Sequence, residues 1–320
     1  MKSYIGVDLG GTNIRAERFT PEAASLARFE LKTNAHEGPR PVLDRLVQVI
    51  QKVTPADRGE LGGIGIGAPG PLDPKAGVVI KAANLPGWEN VPLRDVLQAR
   101  FGVPVWLGND ANLAALAEWK YGAARGHDDV LYLTISTGIG GGIISGGRVI
   151  TGARGMGGEV GHTIAVGPDG PLCGCGQRGC LESVASGPAI ARRAVERIRE
   201  GVQSRILALA PGGLADVSAE TVGRAADEGD RLAREVVGDA GAHLGRSIAS
   251  LMHIFNPSIV VIGGGVSQMG DVLFDAVRAG VQKFAQTEAY WKNCPIVPAA
   301  LGEEVGLLGG LALALESAGP

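Results

Sequence analysis

His162, Cys173, Cys175 and Cys180 place an imidazole and three thiols in one short, glycine-rich stretch. Three thiolates and one imidazole complete a tetrahedral zinc site and leave no position open for water, the composition of a structural site rather than a catalytic one. Ordinary buried thiols, or one disulfide with a spare, would be the plainer reading. The chain argues against a disulfide framework, because it has only 4 cysteines in 320 residues, three of them here, and no secretory leader. Cys294 stands apart and reads as a plain thiol. Carboxylates flank the cluster, Glu159 before it and Glu182 after it. A rigid metal knot with acids at its edges can form part of a binding pocket.

Two glycine turns offer phosphate chemistry. Asp8-Leu9-Gly10-Gly11-Thr12-Asn13 closes an apolar run. Glycine lets the backbone approach a phosphate closely, and Thr12 and Asn13 add donors. Asp8, at a strand end, can hold hydrated Mg²⁺. A simple hairpin turn explains the same residues equally well. Ser136-Thr137-Gly138-Ile139-Gly140-Gly141-Gly142 repeats the arrangement, with Thr137 and Gly138 as the corresponding contacts. It superficially resembles a dinucleotide loop, but it leads into another strand where such a loop would lead into a helix. The chain contains no GxxxxGK[ST] and no Gly-Lys pair, which excludes a P-loop. Gly263-Gly264-Gly265, between an apolar strand and a helix, leaves room for a base and ribose at Gly264 and Gly265; a tight strand-to-helix connection is the competing account. Asn109-Asp110-Ala111-Asn112 starts a helix, where capping alone would explain Asn and Asp. Found together with the two glycine turns, the pair points instead to Asp110 as a general base.

Apolar periodicity supplies the elements that must position these residues. Strands are predicted over 4–8, 13–19 and 25–33, a helix over 41–53, a strand over 61–67, a helix over 91–101, a strand over 103–107 and a helix from 109 to 121. The pattern then starts again: strands over 130–135, 142–145 and 148–151, helices over 188–199, 219–228 and 231–255, a strand over 258–262, a helix over 269–284, a strand over 296–298 and a final helix over 306–315. This is a duplication at the level of fold. It predicts an α/β protein of two domains around a cleft: 1–109, completed by a C-terminal helix within 304–320, and 110–303 carrying the cysteine loop. A net charge of −3 and an aromatic content of 4% exclude a general attraction to nucleic acid. With no long apolar segment, neither a membrane nor a targeting sequence is expected, and the location expected is cytoplasmic.

Together these motifs resemble the ROK family of sugar kinases and repressors, over essentially the whole chain. The resemblance rests on 8–13, on Gly108 with 109–112, on 137–142, on Glu159-Val160-Gly161-His162 and on the cysteine loop through Glu182. Within the family the chain is most similar to the bacterial glucokinases, partly through Asn84-Leu85-Pro86-Gly87-Trp88. The resemblance implies an actin-like, ribonuclease-H-type fold and transfer of the ATP γ-phosphoryl group, with Mg²⁺, to a sugar 6-hydroxyl. Asp110 would be the base. Asn109, Glu159, His162 and Glu182 would hold sugar hydroxyls, with Gly70 and Asn84 as further contacts, and the zinc would be structural. Glucose leads as substrate; N-acetylmannosamine, N-acetylglucosamine, fructose and allose compete, and polyphosphate is the alternative donor. A homodimer or higher homo-oligomer is expected by resemblance alone. The other classes are a repressor, for which the first strand leaves no room for a helix-turn-helix, and a non-catalytic sugar sensor, which the intact Asp8, Asp110 and glycine turns disfavour.

Overall fold

Short, largely apolar strands build two sheets of the same plan. The computed structural model describes residues 2–82 and 84–319. Unit 1 consists of Met1–Arg125, Val149–Gly158 and Leu301–Pro320; unit 2 consists of Gly126–Arg148 and Glu159–Ala300. The boundary expected at 109/110 falls inside unit 1, because the helix that starts there packs on the C-terminal helix of the same unit.

In unit 1, β1 (Ser3–Leu9), β2 (Asn13–Phe19) and β3 (Ser25–Lys32) form an antiparallel meander. β4 (Leu61–Ala68) and β8 (Val105–Asn109) add in parallel, giving the order β3-β2-β1-β4-β8. A small sheet of β5 (Leu72–Asp73), β6 (Val78–Lys81) and β7 (Glu89–Val91) was not anticipated, since its strands are too short to show periodicity. The helices are α1 (Pro39–Val53), α2 (Leu93–Phe101), α3 (Asp110–Tyr121) and α9 (Val305–Ala318). The helix predicted from 91 starts two residues later: Val91 precedes Pro92, and a residue before proline is pushed to extended backbone, so it ends β7 instead.

In unit 2, β9 (Val130–Ile135) and β10 (Ile139–Ser145) are antiparallel, and β12 (Ile259–Gly263) and β13 (Ile296–Pro298) join in parallel. With the two-residue β11 (Arg148–Val149), the order is β11-β10-β9-β12-β13, the arrangement of unit 1 repeated. The helices are α4 (Leu181–Ala185), α5 (Gly187–Arg199), α6 (Ala219–Asp227), α7 (Arg231–Phe255) and α8 (Asp271–Phe284). Each sheet has its own apolar core, one around Ile5, Val7, Ile64 and Ile66, the other around Leu131, Leu133, Val260 and Ile262. Among the described residues no helix is long and apolar enough to cross a membrane.

α9 packs on β1 and β4 with backbone against backbone. A β-carbon at Gly6 would overlap the Leu307 carbonyl oxygen, and one at Gly65 that of Gly310. Glycine inside a helix costs about 1 kcal/mol against alanine, so Gly310 must be retained for this approach. Gly310→Ala is expected to lower the thermal midpoint, because overpacking of about 1–3 kcal/mol outweighs the gain in helix propensity. Gly238→Ala, inside α7 with no atom within 4 Å of the added carbon, is expected to hold or raise it. Calorimetry of the two variants checks the contrast.

Candidate functional site

In unit 1 the predicted residues gather at the C-terminal ends of parallel strands, where open α/β sheets bind ligands. The register pairs Asp8 with Gly67, Gly67 with Gly108 and Ala68 with Asn109. Asp8, Asn109 and Asp110 therefore share one sheet edge. Gly10, Gly11 and Thr12 form the β1–β2 turn, closed by Gly10 N–H donating to the Asn13 carbonyl at 3.0 Å. Thr33, just after β3, fastens the turn: its hydroxyl donates to the Gly10 carbonyl at 2.6 Å and its N–H to the Thr12 carbonyl at 2.8 Å. Asn84 lies over this turn, its Cβ 3.1 Å from where a side chain on Gly11 would start, inside ordinary van der Waals contact. Gly70 follows β4 and joins Pro71 through a cis peptide bond.

Two side chains here do more than their sequence context indicates. Arg15, opposite Asp8 on β2, donates to Asp8 Oδ2 from Nη2 at 2.6 Å and from Nε at 3.2 Å. The three-residue turn between β1 and β2 sets this pairing, so the signal was present and was not used. Asn109 does cap α3: its Oδ1 accepts from the N–H groups of Ala111 and Asn112 at 3.0 and 3.1 Å. That leaves its Nδ2 amide for a ligand. Asp110, the first residue of α3, is exposed.

In unit 2 the four metal-ligand atoms of His162, Cys173, Cys175 and Cys180 lie within 4.8 Å of one another. Cys173 Sγ is 3.7 Å from His162 Nδ1, and Cys175 Sγ is 3.7 Å from Cys180 Sγ. Ordinary Zn–S and Zn–N bonds in a tetrahedron give edges of about 3.8 and about 3.6 Å, so the set fits such an ion. Nδ1 faces the sulfurs, which leaves Nε2 of His162 for another partner. Burial pushes the Cys173 thiol up to about 12 and raises Cys180 as well, while the Gln177 backbone N–H lowers Cys175. A metal must displace these protons, so its affinity falls as pH falls. Cys294 is buried, as a plain core thiol.

Glu182 ties this knot to the second glycine turn. Its Oε2 accepts from Ile139 N–H at 2.9 Å, and Cys173 Sγ lies 3.4 Å from its Oε1. Each oxygen keeps a second lone pair for a ligand. Glu159 precedes the single helical turn Val160–His162 and makes no side-chain cap bond to it.

Thr137 and Gly265 line a cavity of about 970 Å³. Its other walls include Pro188, Ala219, Arg224 and Gln268, from α5, α6 and the turn before α8. These residues escaped the sequence reading: Pro188 and Ser218 give clear helix-start signals, but a start signal does not say what the helix end faces. Gly264 does not line the cavity. Its φ is +83° and a β-carbon there would overlap the Ile135 carbonyl, so it serves the tight strand-to-helix connection. Gly138 faces Glu182 rather than the cavity.

A five-stranded sheet made twice, with ligand residues at its strand ends, is the actin-like ATPase fold. The ROK family matches residues 4–317, and the chain belongs to that family. It is 40% identical to a glucokinase of Thermotoga maritima over 98% of each chain. A ROK family glucokinase from Streptomyces griseus, solved with glucose and AMPPNP, superposes with a TM-score of 0.83 at 35% identity, over 97% of this chain and 98% of that one. A ROK hexokinase from Thermus thermophilus gives 0.80 at 38% identity, over 98% and 99%.

Elemental analysis is expected to find about one tetrahedrally held metal ion per chain. Cys175→Ala removes one of the four ligands, and its metal affinity is expected to fall by more than about 100-fold, beyond what loss of a mere supporting contact causes. Unchanged metal content after dialysis against a chelator would count against the site.

Proposed function

We propose that this chain is an ATP-dependent glucokinase that transfers the γ-phosphoryl group to the 6-hydroxyl of glucose. One observation carries the reading: Asp8 and the exposed Asp110 stand at the same edge of one sheet, in a chain similar from end to end to a glucokinase.

Asp110 is the general base. It takes the proton of the sugar hydroxyl as that oxygen attacks the γ-phosphorus, and the bond to the β-phosphate oxygen breaks with its electron pair leaving on ADP. Such a transfer depends on positioning and charge stabilisation rather than on covalent chemistry by the protein. Mg²⁺ carried with ATP supplies charge to the phosphate oxygens. Asp8, held by Arg15, would take the hydrated ion. Gly10, Gly11, Thr12 and Asn13 serve the phosphates, as do Thr137 and Gly138. The cavity beside Gly265 is large enough for a nucleoside, and Gly264 shapes its loop without touching it.

The sugar hydroxyls are held by Asn109 through Nδ2, by Glu159, by His162 through Nε2 and by Glu182, with Gly70 and Asn84 in support. These groups are directional donors and acceptors, which suits recognition of a fixed hydroxyl pattern. The His162, Cys173, Cys175 and Cys180 cluster would hold a structural zinc with no part in the transfer. ATP as donor and unpaired thiols suit a cytoplasmic enzyme.

Asp110→Asn is expected to lower kcat by about 10²- to 10⁴-fold, while glucose affinity changes far less; turnover near wild type would overturn the assignment. Over a panel of glucose, N-acetylmannosamine, N-acetylglucosamine, fructose and allose, glucose with ATP is expected to give the highest kcat/KM. A higher value with another hexose, or with polyphosphate as donor, would replace that substrate in the reading.

A further inference from the structure

α3 is buried on every side from Ala111 to Glu118, and Asn112 and Glu118 are the polar residues in that run. Glu118 has a use: its carboxylate accepts from the N–H groups of Ala123 at 2.7 Å and Leu301 at 2.9 Å. Asn112 is only half satisfied. Its Nδ2 donates to the Gly157 carbonyl at 3.1 Å, while its Oδ1 is buried with no hydrogen-bond partner. The residue is 4% exposed. Turning the amide over would set oxygen against the Gly157 carbonyl and relieve nothing. An apolar side chain, such as the neighbouring alanines and leucines present, would leave no buried acceptor unpaired. Asn112 is therefore a poor choice for stability alone, and mismatches of that kind mark positions kept for another reason.

Gly157 shows what the amide holds. Its own N–H donates to the Thr151 carbonyl at 2.8 Å, closing the loop that runs to Gly158. Glu159 comes two residues after Gly157, and the Glu159 carbonyl accepts from His162 N–H at 3.1 Å. The Asn112 amide thus holds the backbone two residues before Glu159. The same residue lies two positions after Asp110 and donates its N–H to the capping Asn109.

We infer that Asn112 is a positioning residue for the hexose. Through Gly157 it ties to α3 the loop that ends at Gly158, one residue before Glu159. The inference rests on the assignment of Asp110, Glu159 and His162 to sugar binding and transfer.

Asn112→Leu removes the tether and the unpaired acceptor together, so its thermal midpoint is expected to match or exceed wild type. Its KM for glucose, and its glucose dissociation constant by titration calorimetry, are expected to rise about 10- to 100-fold, the scale of a small misplacement of positioning groups. The KM for ATP is expected to stay within about twofold, since that substrate is not held by this backbone. Asn112→Ala repeats the measurement with a smaller side chain should leucine be too wide to fold. A folded variant that binds glucose as tightly as wild type overturns the inference, as does an equal rise in both constants. If wild type neither binds nor phosphorylates glucose, the underlying reading fails and takes this inference with it; wild-type activity beside an unperturbed variant sinks this inference alone.

Discussion

The contact between the α9 backbone and the β1–β4 pair is the constraint on which unit 1 depends. Glycines on both surfaces let the helix come closer than side chains would allow. Gly306, in its first turn, lies against the Asp8 carboxyl group, and Gly309 lies against the Leu113 carbonyl of α3. Just before the helix, Leu301 is held by the buried Glu118 of α3. The last segment of the chain therefore seats both acids, Asp8 directly and Asp110 through α3. Glycines in the α9 interior cost helix propensity, and the position of the site residues explains why that cost persists.

Unit 2 has the same strand plan but a different fastening. Its sheet edge is dressed by a loop with little regular structure, spanning the cysteines, that has few apolar side chains to order it. Ile164 and Leu172, both before the first cysteine, are exposed. A loop of this kind gains from a crosslink, which one ion held by the four ligand atoms would supply. Glu182 then passes the order on, since its carboxylate meets Cys173 on one side and the Ile139 backbone on the other. The knot and the glycine turn are positioned by one side chain, although they lie far apart in sequence.

The sheets were legible because most of their strands are short runs of apolar or alternating residues bounded by turn residues; β2, β9, α7 and β13 begin and end where periodicity puts them. Legibility failed where local signals were weak or had two meanings. The strands β5, β6 and β7 are too short for a period to show. Val91 looked helical until Pro92 is considered. Asn109 satisfied both readings at once, as cap and as candidate ligand, and only its hydrogen bonds divide the oxygen from the amide nitrogen. The metal cluster was legible as a set because thiols are rare in this chain, whereas the cavity walls of α5 and α6 are ordinary residues brought together by tertiary packing. The surroundings of Gly264 were hidden for the same reason: sequence gives the glycine but not the Ile135 backbone that presses against it.

The first turn of α3 shows how donor and acceptor chemistry fixes residue type. An aspartate at position 109 would cap the helix as well as asparagine, but with Oδ1 occupied by two backbone N–H groups it would have no donor left, and asparagine has Nδ2. Position 110 needs the reverse, an ionisable acceptor without a donor, if it is to accept a proton from a hydroxyl. Position 112 faces a carbonyl oxygen, so a carboxylate there would meet it with like charge, and only the amide can hold it. Asn-Asp-Ala-Asn is therefore not one capping motif read three ways. Each polar position has a different hydrogen-bond polarity to satisfy, and exchanging Asn for Asp at 109 or 112, or Asp for Asn at 110, would leave the helix nearly intact while inverting that polarity.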